Sequence, residues 1–553
     1  MESIGEYMES NQNRFGQRGF TGTSPSSTSM ANYGNSAMTR GNFMRGLGLA
    51  GAGVAAGMMG MSGTARALPG DSYIEVYPSG SHPYVGLQGV LNAMGDIADG
   101  GTITLKAGTF DFGYDTVYVY KNVTIQGEGS LATNVIGGVM SFTVSGPVNP
   151  PINPTIQNIW FDANNFGPIV LMTCNGATIR NNKITNTIPM DIGFGGPMVY
   201  GIAATELTGG SITGTIRVEG NYLDLLGPSG GAYDAAFYDS EGIGLFCLSG
   251  AITLNVTNNE IHNPGNVGIS LLSFPNGTGS VQGNKVYQRT YTYNPDVVGS
   301  GIMVGTDTLV NTAPGPTTIA NNQVFDATGN GIWLGSQAAN CSVNNNIITS
   351  NYIDFPNGAF GMFLSGVDGR GANHNVVQAN TVSGSGIAGI MAYAYSHHNK
   401  IYNNNLSGFG GLAQVVTWGD SNNNEFTGNK YGGACGAGIW CMGSYTKFTN
   451  ENFLGKYAGW SVADSNCLFS PDITSVGCIL LMGPYNTITA LKNGLAMQGF
   501  ALCDQVLDLP GTNYIPGYNK CTAHDPVFIA AMQAKAAALS TKLAAKPGRS
   551  KHV

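Results

Sequence analysis

Three features of the sequence predict an all-β solenoid, a chain wound into a parallel β-helix. The first is a repeated phrase of Gly, Ile or Met, any residue, then an apolar or small residue. It starts at Gly242, Gly268, Gly301, Gly331, Gly361 and Gly389, with spacings of 26, 33, 30, 30 and 28 residues. The second is a phrase lying between these copies, apolar-x-x-Asn-x-apolar, as in "TIRNNKI", "NVTNNEI", "TIANNQV" and "SVNNNII". The third is composition: 82 glycines in 553 residues and only 10% charged residues, against about 25% in an average soluble domain. Hydrophobic content of 42% excludes a disordered polar polymer.

Each phrase alternates as a short half-buried strand does and is too short for a helix. Gly and Asn tolerate the left-handed conformations that sharp corners require. A unit of some thirty residues built from short strands and Asn corners is one coil of a stack. Apolar positions then lie on those of neighbouring coils, and Asn side chains can bond amide to amide along the stack. The asparagines are accordingly read as architecture.

The elements follow in chain order. Residues 1–67 read as an export signal preceded by a disordered N-terminal region. A polar basic segment leads into a Gly/Ala/Met-rich apolar stretch from Leu47 to Met61, and Ala65-Arg66-Ala67 supplies a small-x-small cleavage site. Thr39-Arg40-Gly41-Asn42-Phe43-Met44-Arg45 resembles a bacterial twin-arginine signal, with Gly41 in place of the second arginine. The apolar stretch is short for a membrane span, so no stable membrane insertion is expected after cleavage. Leu87, Val90, Leu91 and Met94 fall at i, i+3, i+4 and i+7 and predict a short amphipathic helix before the first coil. The solenoid is expected over 68–431 and a Cys-rich irregular extension or cap over 432–524. A C-terminal helix and tail at 525–553 start at Asp525-Pro526. Cys174, Cys247 and Cys341 are isolated. Cys435, Cys441, Cys467, Cys478, Cys503 and Cys521 crowd the tail, where export permits disulfides of unassigned pairing.

With "YVGLQGVLNAMGDIADGGTITLKAGTFDF", "YVYKNVTIQGEG" and the coil phrases, residues 74–431 resemble the pectin-lyase-like superfamily of right-handed parallel β-helices. The resemblance implies a right-handed winding and a helix that plugs the first coil. It also implies that the Gly-Ile-x-Leu strand forms the sheet lining a ligand groove. The superfamily includes polysaccharide lyases, hydrolases, epimerases, tailspikes and non-catalytic surface proteins, so fold alone does not fix activity. The motif sets of the polygalacturonases and the calcium-binding acidic pattern of the pectate lyases are absent.

On that sheet, alternation points Ile332 and Leu334 inward and Trp333 outward. Ser270, Met303, Phe363 and Met391 are the equivalent outward positions, with Tyr393 two residues further on. Met303, Trp333, Phe363 and Tyr393, with Asp307 just after a strand, are therefore the candidate substrate-binding residues. The competing reading is that this apolar stripe is covered as secondary core. Long insertions before these strands carry most of the ionisable groups: Asp191, Asp234, Asp239, Glu241, Arg289, Asp296 and Asp354. Glycoside hydrolysis needs one carboxyl as acid and another as base or nucleophile. Asp234, Asp239 and Glu241 in "YDAAFYDSEGIGL" can supply such a pair, unless they are solvated loop acids or calcium ligands. Lyase chemistry needs a base and a cation, for which Arg289 among Tyr287, Tyr291 and Tyr293 is the compact cluster. Adjacent strand residues face opposite ways, so His397-His398 reads as a pair of turn residues.

A net charge of −8 and the lack of a basic run argue against nucleic acid as partner. The sequence thus predicts an exported, polysaccharide-active protein located in the periplasm, outside the cell or on its surface. Its first reading is a glycoside hydrolase needing no cofactor. The alternatives are a non-catalytic glycan-binding or structural β-helix, and a lyase or epimerase, with Ca²⁺ as the cofactor a lyase would take.

Overall fold

The computed structural model describes residues 70–453, less 139, 147–151, 163–166, 188–189, 192–196, 207–209, 226–238, 248–250, 265–266, 289–299, 307–311, 328, 351–359, 367–368, 385–387, 408–412, 419, 433–436 and 442, together with the strands Ile479–Leu481, Thr487–Thr489, Val506–Asp508 and Lys520–Thr522. The export segment and the C-terminal helix read from the sequence lie outside these residues. The chain divides into two compact units. The first runs to Tyr287 and includes Val310–Gly315; the second holds Gln288–Leu309 and the chain from Pro316 on.

In the first unit every coil contributes one strand to each of three parallel sheets. The first sheet runs from Asp71–Val76 through Thr155–Gln157 and Gly214–Glu219 to Thr278–Gln282. The second runs from Val117–Val119 through Ile169–Thr173 and Asp239–Phe246 to Val267–Leu272. The third runs from Gly108–Asp111 to Lys285–Tyr287. Register stacks like on like: Ile103, Ile125, Ile156, Ile179, Val218, Val256 and Val281 form one fully buried row. Each such side chain contributes about 1.5–3 kcal/mol of burial. A helix at Gly86–Asp96 packs Val90, Ala93 and Met94 against the start of this unit. Its buried face is centred on Gly89, Val90, Ala93 and Met94, so Leu87 and Leu91 flank it, half-buried.

The second unit repeats the plan. Its second-sheet strands run from Ser300–Gly305 through Asn330–Leu334 and Phe360–Ser365 to Ala437–Cys441 and beyond. Its core row is Ile319, Val343, Val377, Ile401, Phe426 and Phe448, the last two stacked at 4.9 Å. Parallel pairing continues past Tyr431, so the described strands of the Cys-rich stretch are further coils. Cys441 is buried and unpaired within one of them, which removes it from the expected set of tail disulfides. Cys174, Cys247 and Cys341 are also free and buried, and burial pushes all four thiols well up, Cys341 to about 11 and Cys441 to about 12. Such thiols are inert.

The recurring glycine of the strand phrase has a steric cause. A Cβ on Gly331 would sit 2.2 Å from Ile348 Cγ2 and 2.5 Å from the Gly361 carbonyl oxygen. The corner asparagines divide into two roles. In "VNNNII", Asn345 is exposed with φ +52°, the left-handed corner, and Asn346 is fully buried. Asn346 Nδ2 donates to Asn380 Oδ1 at 2.9 Å and to the Ile319 carbonyl at 3.0 Å, while its Oδ1 accepts from Asn322. Asn182, Asn221, Asn259 and Asn284 build the same ladder in the first unit. Each amide meets its copy in the next coil, so the buried polar atoms are satisfied without water.

Candidate active site on the outward face of the second sheet

Three consecutive strands of the first unit, Pro197–Thr205, Asp239–Phe246 and Val267–Leu272, set the site. Ile202, Ile243 and Ile269 are in register and buried in the core, as are Ala204, Leu245 and Leu271. Alternation therefore turns Ala203, Gly244 and Ser270 outward. Tyr200 and Glu241, also in register, precede the strand glycines and reach over the same face. A Cβ added to Gly244 would lie 2.5 Å from Glu241 Oε2 and 2.9 Å from Tyr200 Cε1, so the bare backbone of Gly244 is what makes room for both. Ser270 Oγ donates to Glu241 Oε2. Tyr200, Glu241 and Ser270 are 5%, 2% and 1% exposed.

Glu241 is thus a buried outward-facing carboxylate rather than a solvated loop acid. Taking a carboxylate out of water is costly unless it is hydrogen-bonded, and such sites concentrate where chemistry needs them. Asp239 lies on the same strand, opposite Met198, and Asp191 lies in the short strand Met190–Asp191; of their side chains nothing is described. Asp234, Arg289, Asp296, Asp307 and Asp354 lie outside the described residues. Among the described residues no group of three or more His, Cys, Asp or Glu could hold a metal ion, and no helix is long and apolar enough to cross a membrane. Sequence reasoning missed Tyr200. The signal was there, since "YGIAA" is a further copy of the strand phrase displaced by a long insertion.

The expected binding stripe belongs to the second unit. Met303, Trp333, Phe363 and Met391 are in register on the outward side, as alternation requires, and Tyr393 follows two residues on. The stripe is not open, however. Trp333 is 7% exposed, Phe363 5%, Tyr393 2% and Met391 0%, with Met303 half-buried. Phe363 lies 6.1 Å from both the Trp333 and Tyr393 rings and stacks on Phe360 at 4.7 Å. Trp333 Nε1 donates to Ser365 Oγ at 2.7 Å. Of the two readings of this stripe, the burial of these rings favours secondary core: apolar surface of this size is withdrawn from water and packs on itself. His397 accepts the Asn422 N–H at Nδ1, and burial holds its pKa below the usual value. His398 occupies a left-handed corner and stacks on His374 at 5.0 Å, so both histidines serve turns.

The family described as "Right handed beta helix region" matches residues 296–454. No curated protein matches the chain in sequence. Among solved structures, the mannuronan C-5 epimerase A-module of Azotobacter vinelandii aligns at 11% identity and a TM-score of 0.33, covering 76% of this chain and 91% of its own. A PL6 family polysaccharide lyase from Pseudopedobacter saltans aligns at 12% and 0.42, covering 76% and 92%. The Dettilon tailspike protein aligns at 12% and 0.39, covering 80% and 68%. These values carry no argument about activity. Three parallel sheets in register, the coil phrases and the matched region together make this chain a right-handed parallel β-helix protein.

Proposed function

We propose that the chain is an exported polysaccharide-active enzyme in which Glu241 transfers a proton at the outward face of the second sheet. The observation that carries this reading is the meeting of Tyr200, Glu241 and Ser270 over Gly244, a buried polar cluster built about a carboxyl group on the outward side of the sheet. Its partner is a glycan, because an extended polymer can lie along a solenoid face and be held by several coils at once.

Two reactions fit. Hydrolysis takes Glu241 with Asp239 as the second carboxyl, two residues along one strand and so about 7 Å apart at the backbone. That spacing is compatible with a carboxyl pair flanking a glycosidic bond. Elimination or epimerisation of a uronate instead takes a base beside the proton next to the carboxyl and a proton donor for the product side. The Tyr200 phenol against Glu241, on adjacent strands, favours this second reaction.

The test uses the purified chain on a panel of neutral and uronate-containing polysaccharides. Elimination yields an ultraviolet-absorbing unsaturated end and epimerisation changes the sugar NMR signals without cleavage. Hydrolysis yields reducing ends without the chromophore. Glu241→Gln is expected to abolish product in each case, and Tyr200→Phe to do so in the second reaction. Glycan binding with no product on any substrate would replace the enzyme reading with a non-catalytic one.

A further inference from the structure

One corner of the second unit, where each coil passes from the second sheet to the first, carries two imidazoles in register. Asn340, His374, His398, Asn423 and Tyr445 occupy it in successive coils, all left-handed with φ between +55° and +59°. The Asn340 backbone N–H donates to the Asn373 carbonyl, that of His374 to His397 and that of His398 to Asn422. The corner thus asks only for a residue that tolerates this conformation, and asparagine meets the demand on either side of the pair. The turn does not require imidazole.

The His374 and His398 rings are exposed, lie 5.0 Å apart and are parallel within 3°. Among the described residues neither ring is engaged in a hydrogen bond or an ion pair. His397, by contrast, accepts the Asn422 N–H at Nδ1, and His262 Nε2 lies 2.8 Å from Glu260. Imidazole is the commonest protein ligand of transition metals and suits zinc, copper and nickel.

We propose that His374 and His398 together bind one such divalent ion, which bridges two neighbouring coils. Bonds of about 2.0–2.1 Å from one nitrogen of each ring require the rings to tilt toward each other, which exposed side chains can do. No third His, Cys, Asp or Glu among the described residues completes the set, so water fills the remaining positions. The site is independent of the reaction at Glu241.

Cu²⁺ added to the full chain is the probe. Carbethoxylation of individual histidines, read by mass spectrometry, should be blocked at His374 and His398 together by a stoichiometric amount of Cu²⁺. His82, exposed in the first unit, should stay reactive. The electron paramagnetic resonance spectrum of the bound ion should show coupling to two imidazole nitrogens. His374→Asn and His398→Asn install the residue already found at Asn340 and Asn423, so both variants should fold. Either change should weaken Cu²⁺ binding by about 10²-fold, because the second ring acts at high effective concentration. Protection of one histidine without the other, or coupling to a single nitrogen, overturns the proposal in the natural chain alone. So does either variant binding Cu²⁺ as tightly as the natural chain.

Discussion

The outward face of the second sheet is filled in two different ways. In the first unit the positions around Glu241 carry Tyr200, Gly244 and Ser270, a phenol, a bare backbone and a hydroxyl about a buried carboxylate. In the second unit the same place in the strand phrase carries Trp333, Phe363, Met391 and Trp440. Both sets are nearly inaccessible to water, but they are inaccessible for opposite reasons. The aromatic set gains free energy by leaving water, and each ring finds another ring or a hydroxyl. The acidic set loses hydration, a cost that hydrogen bonds such as the one from Ser270 Oγ to Glu241 must offset. Burial by itself therefore does not separate scaffold from site; the chemistry of what is buried does.

The sharpest way to break this contrast is Glu241→Gln. The change keeps the shape and the bond from Ser270 but removes the exchangeable proton, and a general acid or base is worth about 10²–10⁴ in rate. Turnover on the substrate found in the panel should fall by that factor while thermal unfolding stays close to where it was, since the amide fills the same space beside Ser270. A large loss of stability with unchanged turnover would make Glu241 a structural residue. The opposite pattern belongs to Trp333. Truncating a buried tryptophan costs about 3–5 kcal/mol. Trp333→Ala should therefore shift chemical denaturation strongly, while glycan affinity measured on the protein that remains folded should be unchanged.

Much of this was legible in the sequence because the repeating parts obey strong local rules. A corner in the left-handed region favours Gly and Asn, so Asn321, Asn345 and Gly428 announce their coils. A strand glycine that would strike a core side chain, such as Gly331 against Ile348, cannot vary, so the strand phrase recurs. Alternation then gave the outward direction of Trp333. It gave no information on cover, because what lies over a strand is set by residues distant in the chain. The same limit hid the burial of Glu241 and separated it from Tyr200, whose strand phrase is displaced by an insertion. The pairing of Asn429 Nδ2 with Glu451 in the next coil was readable in principle: "FTGNKY" laid over "FTNENF" puts Glu451 beneath Asn429. It was missed because the stretch after Tyr431 was read as an irregular extension or cap, so its phrases were not laid over those of the coils before it.

The finest test of the comparison concerns one hydrogen bond. If Trp333 were displayed to a sugar, its indole N–H would be kept for the ligand; here it is spent on Ser365 Oγ at 2.7 Å, inside the protein. Ser365→Ala would leave that donor buried and unpaired, at a cost of about 1–3 kcal/mol. In a Trp333→Phe background the donor is gone, so the same serine change should cost far less. A double-mutant cycle read by denaturant unfolding isolates the difference as a coupling energy between the two side chains. A coupling near zero would mean that the indole is satisfied elsewhere and would reopen Trp333 as a ligand contact. A clear positive coupling, together with glycan affinity that ignores all three variants, assigns the aromatic stripe to the scaffold and leaves Glu241 as the place to look for chemistry.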